Sequence, residues 1–99
     1  MKLEDYKNAI TYLNKSYKIN NNTKSLFNIG KCYEKIDDTK NAAKYFKLVI
    51  KQDPNHVKSR EKLIYIYLNS YRYREAKKEC EIIYMLDRSI YNSINYCIE

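Results

Sequence analysis

Residues 23–56 read TKSLFNIGKCYEKIDDTKNAAKYFKLVIKQDPNH, and the spacing of their apolar side chains decides the fold. Leu26, Ile29 and Tyr33 recur at intervals of three and four, the period of one helix face. Asp37-Asp38-Thr39 suits a turn followed by a helix start. Beyond it, Ala42, Phe46, Val49 and Ile50 form a second apolar stripe. Asp53-Pro54-Asn55 closes the unit, because Pro disfavours helix at the residue before it and suits the first turn of the helix after it. Two amphipathic helices joined by a short turn are expected.

The same offsets recur. Shifted by 34 residues, Leu26, Ile29-Gly30, Tyr33, Ala42, Phe46 and Pro54 land on Arg60, Leu63-Ile64, Tyr67, Ala76, Cys80 and Arg88. Leu63, Tyr67 and Ala76 keep the pattern, whereas Arg60, Ile64, Cys80 and Arg88 depart from it. A further shift meets Ile94, Cys97 and Ile98, and upstream Ala9 and Leu13 precede Ala42 and Phe46 by 33. These positions resemble the tetratricopeptide repeat (TPR) signature, W-x2-L-G-x2-Y, then A-x3-F, then P. Leu26 stands in for the Trp and Ile29 for the Leu; Gly30, Tyr33, Ala42, Phe46 and Pro54 are the family's own residues. The resemblance implies an all-α helix-turn-helix solenoid of about two and a half repeats, with six helices of which the last is short. It implies one domain over residues 1–99. Residues 1–22 would be the second helix of an incomplete repeat, 23–56 a complete repeat, 57–90 a complete divergent repeat and 91–99 the start of a terminal helix.

A chain of 99 residues can bury a core without disulfides or metals. Hydrophobic residues at 44% against 31% charged place it with folded rather than disordered chains. One Gly and one Pro are too few for the turns of an all-β fold. No apolar run approaches the roughly 18–20 residues that cross a membrane, and Met-Lys-Leu-Glu-Asp at the start lacks a leader's apolar core. A cytoplasmic or nuclear location is expected. Cys32, Cys80 and Cys97 are widely spaced and belong to no Cys-x-x-Cys pair, and Cys80 and Cys97 fall on apolar repeat positions. Reduced, buried thiols acting as small hydrophobes are expected. Zinc would want four ligands, and the single His is His56, beside Pro54. No metal and no cofactor is expected. The preference for Lys over Arg, with abundant Asn, Ile and Tyr, points to an AT-rich coding sequence.

The first helix should run from about Glu4 to Lys18, with Tyr6, Ala9, Ile10, Leu13 and Tyr17 on one face. Asn20-Asn21-Asn22 should end it, and Asn22 or Thr23 should cap a helix reaching Ile36. Partner helices are expected at Thr39–Gln52, Asn55–Asn69 and Tyr71–Leu86, and a last short helix at Ser89–Cys97, with Asn92, Asn95 and Glu99 as a polar end. Gly30 lies inside a helix, where it costs about 1 kcal/mol against Ala. Close approach of the helix carrying Ala42 and Ala43 would offset that. Ile64 replaces this small residue, so the second pair of helices should lie further apart. The first helix lacks the partner its register calls for. Either Met1 begins a truncated piece, or that face binds another chain.

Nothing in the chain assembles catalytic chemistry: there is one His, no Gly-rich loop and no Ser/His/Asp grouping. A non-enzymatic role is expected. In TPR arrays the first helix of each repeat lines a concave groove, so the resemblance directs attention to side chains off the core stripe of those helices. In this chain they are Lys24, Asn28, Lys31 and Lys35, then Lys58, Lys62, Tyr65 and Asn69. Phe27 flanks the first set, Glu61 interrupts the second, and Tyr96 could add to them. Ammonium groups beside aromatic rings suit an acidic, partly apolar peptide. Lys24, Lys31, Lys58 and Lys62 would meet carboxylates, Asn28 the peptide main chain, and Phe27 and Tyr65 its apolar side chains. The bland alternative is that a net charge of +7 keeps the chain soluble and these lysines are simply solvated.

Co-chaperone TPR domains grip the C-terminal carboxylate of chaperones with a five-residue clamp. Asn28, Lys58 and Lys62 match three of its places, and the helix that would carry the first two is missing. Self-association through the N-terminal helix is a structural alternative. Nucleic acid is another, supported by a pI near 9.3 and 12 Tyr. Against it, Asp37, Asp38, Glu79 and Glu81 interrupt any basic stripe, and Tyr33 and Tyr67 occupy core registers.

Overall fold

A computed structural model of the chain describes residues 3–20 and 22–98, with residues 3, 4, 13 and 16–20 described by their backbone alone. Leu13 and Tyr17, expected on the first helix's apolar face, therefore lie outside the described side chains, as do Asn21 and Glu99 altogether. The fold is all-α. In chain order the helices are α1 (Leu3–Asn20), α2 (Thr23–Lys35), α3 (Thr39–Gln52), α4 (Val57–Asn69), α5 (Tyr73–Leu86), α6 (Arg88–Ser93) and α7 (Asn95–Ile98). They form two compact units, Met1–Pro54 and Asn55–Glu99.

In the first unit α2 packs against both α1 and α3. Leu26, Ile29, Ala42, Phe46 and Val49 are wholly buried, which are the stripes that the spacing marks out. Asn22 caps α2, its Oδ1 accepting the Ser25 N–H at 2.8 Å, and Asp38 caps α3 by accepting the Asn41 N–H at 3.2 Å. Tyr33 stacks on Tyr45 at 5.5 Å, and the Tyr45 hydroxyl donates to Asn14 Oδ1 of α1 at 3.2 Å. Gly30 faces α3, the helix expected, and it is a large side chain of that helix that comes closest. A Cβ there would lie 2.7 Å from Cε1 and 3.0 Å from Cδ1 of Phe46, so the glycine makes room for the Phe46 ring rather than for Ala42 or Ala43.

In the second unit α5 packs against α4 on one side and carries α6 and α7 on another. Leu63, Ile64, Tyr67, Ala76, Cys80 and Ile83 repeat the burial of the first unit. Ile64 occupies the place of Gly30 and Cys80 that of Phe46, so the large side chain has moved from the second helix of the hairpin to the first. Arg60, which replaces an apolar signature residue, is buried all the same, because Nη1 meets Glu79 Oε1 at 2.7 Å. His56 caps α4, its Nδ1 accepting the Ser59 N–H at 3.2 Å. This cap defers the helix start from Asn55 to Val57.

Two expectations need correction here. Cys80 and Cys97 are not reduced thiols: they form a disulfide, with Cα atoms 5.3 Å apart, and Cys32 is the free cysteine. The repeat register puts both on core positions of neighbouring helices, and that shared burial brings them together. Cysteine usage therefore gives no support to a reducing compartment. The terminal segment is also two helices rather than one, which makes seven among the described residues in place of the six expected. Ile94 adopts an extended backbone (φ −100°, ψ 103°) between α6 and α7. Burying Ile94 and Cys97 against α5 takes precedence over helix continuity. Ser93 assists the break by bonding its Oγ to the Ile90 carbonyl at 2.7 Å.

Candidate functional site

The α2 face can be built from its neighbours. Asn28, Lys31 and Lys35 follow at intervals of three and four and so share one side of the helix. With Tyr6 of α1 and Cys32 they line an open cavity of about 340 Å³. Three polar groups thus share a recess with an aromatic ring and a thiol. Burial pushes the Cys32 thiol above its ordinary value, and the Lys31 ammonium beside it offsets part of that rise. The thiol is therefore held in its neutral form. Phe27 sits at the edge of the face, half-buried, with its ring 5.6 Å from that of Phe46. Lys31 Nζ lies 5.1 Å over the Phe27 ring, within cation–π range. Lys24 is exposed and does not line the cavity.

On α4, Lys58 and Tyr65 are exposed, Tyr65 by 48%, and Lys62 is half-buried between them. Intervals of four and three put these side chains on one side of α4. The structure thus groups Asn28 and Lys31 in the first unit and Lys58, Lys62 and Tyr65 in the second. Tyr6 and Cys32 were not among the expected site residues. Tyr6 reads from the sequence as a core residue of the first helix, and Cys32 carries no pattern beyond lying four residues after Asn28.

The turns complete the comparison between hairpins. Asp37 and Tyr71 stand 34 positions apart, and both adopt left-handed backbone, with φ of 61° and 60°. After α2, the Asp38 N–H bonds to the Tyr33 carbonyl at 2.9 Å and the Asp37 N–H to the Glu34 carbonyl at 3.1 Å. After α4, Arg72 bonds to Tyr67 at 2.8 Å and Tyr71 to Leu68 at 3.2 Å in the same way. These paired bonds are the Schellman closure of a helix end. Family models described as tetratricopeptide repeat match residues 1–23 and 24–56, together more than half of the chain. The chain belongs to the TPR family. The matched stretch ends at residue 56; beyond it, the α4–α5 hairpin repeats the left-handed turn, the cap of the first helix and the buried positions of α2–α3 at a spacing of 34. No curated protein sequence matches the chain. TPR repeats are generally protein–protein interaction modules rather than catalysts. Among the described residues, no helix is long and apolar enough to cross a membrane.

Proposed function

We propose that this TPR chain holds an acidic segment of a partner protein on the α2 face, and that the α4 face offers a second set of the same groups. What carries the reading is the α2 cavity, whose lining Asn28, Lys31 and Lys35 share with Tyr6. Amide and ammonium groups would bind main-chain and carboxylate oxygens, while Tyr6 and the edge of Phe27 would cover apolar side chains. Lys24, outside the cavity, would add charge at its margin. Lys58, Lys62 and Tyr65 repeat this combination of cations and ring on α4. An interface of this kind gains on-rate and specificity from its charges and affinity from the buried rings.

The test is a titration with an acidic peptide bearing a free C-terminal carboxylate, and with the same peptide amidated. It is run on wild type, on Lys31→Glu/Lys35→Glu and on Lys58→Glu/Lys62→Glu, each checked for helicity. Binding weakened in either variant and indifferent to amidation supports a general acidic-peptide surface on the helix that the variant alters. Binding also lost on amidation narrows the partner to one that presents a free C-terminal carboxylate. Unchanged binding in both variants removes the proposal, and α1, where Tyr12 is exposed, becomes the surface to examine for self-association.

A further inference from the structure

The α2 and α4 faces leave unused the tyrosine-rich side of α5. Tyr73, Lys77, Glu81 and Tyr84 follow at intervals of four, four and three, so they form one line along the helix. Two open cavities lie along this line and have Lys77 and Glu81 in common in their linings. One, of about 600 Å³, has Tyr73, Tyr96, Arg74 and Lys78 in its walls. The other, of about 490 Å³, has Tyr84, Tyr91 and Met85. Together they make a trough along α5, whose 14 residues span about 21 Å. Residues from α6 and α7 wall it, and the Cys80–Cys97 disulfide fastens α7 in place.

The trough's rings are not core residues. Tyr73 and Tyr84 are 52% and 39% exposed, and Tyr71, outside the lining but beside Tyr73, is 79% exposed. At one end Tyr71 meets Tyr73 edge-on at 6.4 Å, and Tyr73 lies near-parallel to Tyr96 at 6.5 Å. At the other, Tyr84 meets Tyr91 at 5.0 Å, with the Arg88 guanidinium 4.0 Å over the Tyr84 ring. Arg74, Lys77 and Lys78 are exposed, and among the described residues none of the three is held in an ion pair. The acids nearby are engaged elsewhere. Glu79 is bound to Arg60, Glu75 to Arg72, and Asp87 accepts the Ser89 and Ile90 N–H groups as the cap of α6. Glu81 is the acid that remains in the lining.

We infer that the α5 trough binds single-stranded nucleic acid, with Arg74, Lys77 and Lys78 on phosphates and Tyr73, Tyr84 and Tyr96 as stacking platforms. In sequence, Glu79 and Glu81 interrupt this basic stretch; in the fold Glu79 is neutralised by a buried arginine and leaves it. The alternation of cation and ring selects the partner. Each nucleotide carries one phosphate and one flat π-face, so a strand lying along α5 satisfies both kinds of group in turn. An acidic peptide could cover one or two rings with apolar side chains, as on α2, but a run of exposed rings along one helix is matched better by a strand that brings a flat base with every phosphate.

The experiment is fluorescence anisotropy of a short labelled oligothymidine titrated with the full chain under non-reducing conditions, over a range of salt. Wild type should bind, with affinity falling linearly on a log–log salt plot. Arg74→Gln/Lys77→Gln/Lys78→Gln should reduce that slope by about 2, at roughly 0.7 for each phosphate no longer neutralised. Tyr73→Ala and Tyr84→Ala should each weaken binding by about tenfold, the loss of one stacked base. Lys58→Gln/Lys62→Gln should keep the wild-type affinity, which separates this site from the peptide surface. Circular dichroism checks each variant, and the glutamine triple, confined to exposed side chains, decides the matter if a tyrosine variant unfolds. The inference is overturned by absence of binding at low salt, or by unchanged salt dependence in the triple variant. It is also overturned if an acidic peptide displaces the oligonucleotide and needs Tyr73 as much, since the trough would then be a peptide site.

Discussion

Gly30 and Ile64 hold the same place in successive hairpins, and the residue opposite each differs to match: Phe46 faces the glycine, and Cys80 stands at the equivalent place beside the isoleucine. Any Cβ at Gly30 meets the edge of a fully buried ring, which would have to shift. Overpacking of this kind costs about 1–3 kcal/mol, whereas Ala in place of Gly gains about 1 kcal/mol of helix propensity. Gly30→Ala should therefore destabilise the chain by about 1 kcal/mol net in urea unfolding. A gain in stability would show that Phe46 shifts freely. Arg60 gives a second residue-scale test. It and Glu79 are 9% and 15% exposed, so either one left alone loses its partner in a poorly solvated place. Arg60→Ala should cost about 2–3 kcal/mol, while Arg60→Leu/Glu79→Tyr, which restores the residues found at Leu26 and Tyr45, should lie within about 1 kcal/mol of wild type. Equal losses in both variants would mean that the ion pair, rather than buried volume, holds α4 to α5.

Helix ends are where the elements depart from propensity. Both hairpins close with a left-handed residue that is not glycine, and at the second it is a tyrosine. A left-handed backbone costs a residue with a Cβ about 1–2 kcal/mol. Tyr71→Gly should therefore stabilise the chain by about 1 kcal/mol, after allowance for the greater freedom of glycine in the unfolded state. The corresponding gain at Asp37→Gly should be smaller, since Asp tolerates this conformation better. Thermal unfolding of the two variants reads the difference; a loss at Tyr71→Gly would show that the ring's contact with Tyr73 outweighs the backbone strain. The same turn displaces the start of α5 from Tyr71 to Tyr73. Left-handed backbone at a tyrosine is not legible in composition; it follows from the need to close α4 and reverse the chain in the three residues Ser70-Tyr71-Arg72.

Across the chain, stability is divided between two units whose cores are fastened differently. The first relies on Phe46 and the tyrosine stack, whereas the second has a cysteine where Phe46 would be and gains a covalent link instead. Cys80 and Cys97 are separated by 17 positions, and closing a loop of that size stabilises by about 3 kcal/mol in the chain-entropy account. Reductant, or Cys80→Ser/Cys97→Ser, should lower the unfolding midpoint by a corresponding amount, and Cys32→Ser should leave the response to reductant intact. A midpoint insensitive to reductant would mean that burial of Ile94 and Cys97 suffices to hold α7 on α5.

The sequence by itself determined the all-α repeat, because a period of 34 residues carried on helical spacing leaves few other ways to bury Leu26, Ile29, Ala42 and Phe46. It also located the lysine faces of α2 and α4, since intervals of three and four translate directly into a shared helix side. Other features depended on distances between helices, which local spacing does not encode. Those were the meeting of Cys80 with Cys97, the pairing of Arg60 with Glu79, the Phe46 ring against Gly30, and the recess that joins Tyr6 to Asn28. The tyrosines divide along the same line. Tyr67 is core by register, whereas Tyr73 and Tyr96 come together at the surface only because Ile94 interrupts the terminal helix and turns α7 onto α5. A repeat pattern states which side chains need burial; tertiary packing decides which charges are cancelled on the way, and so which surface is left to bind.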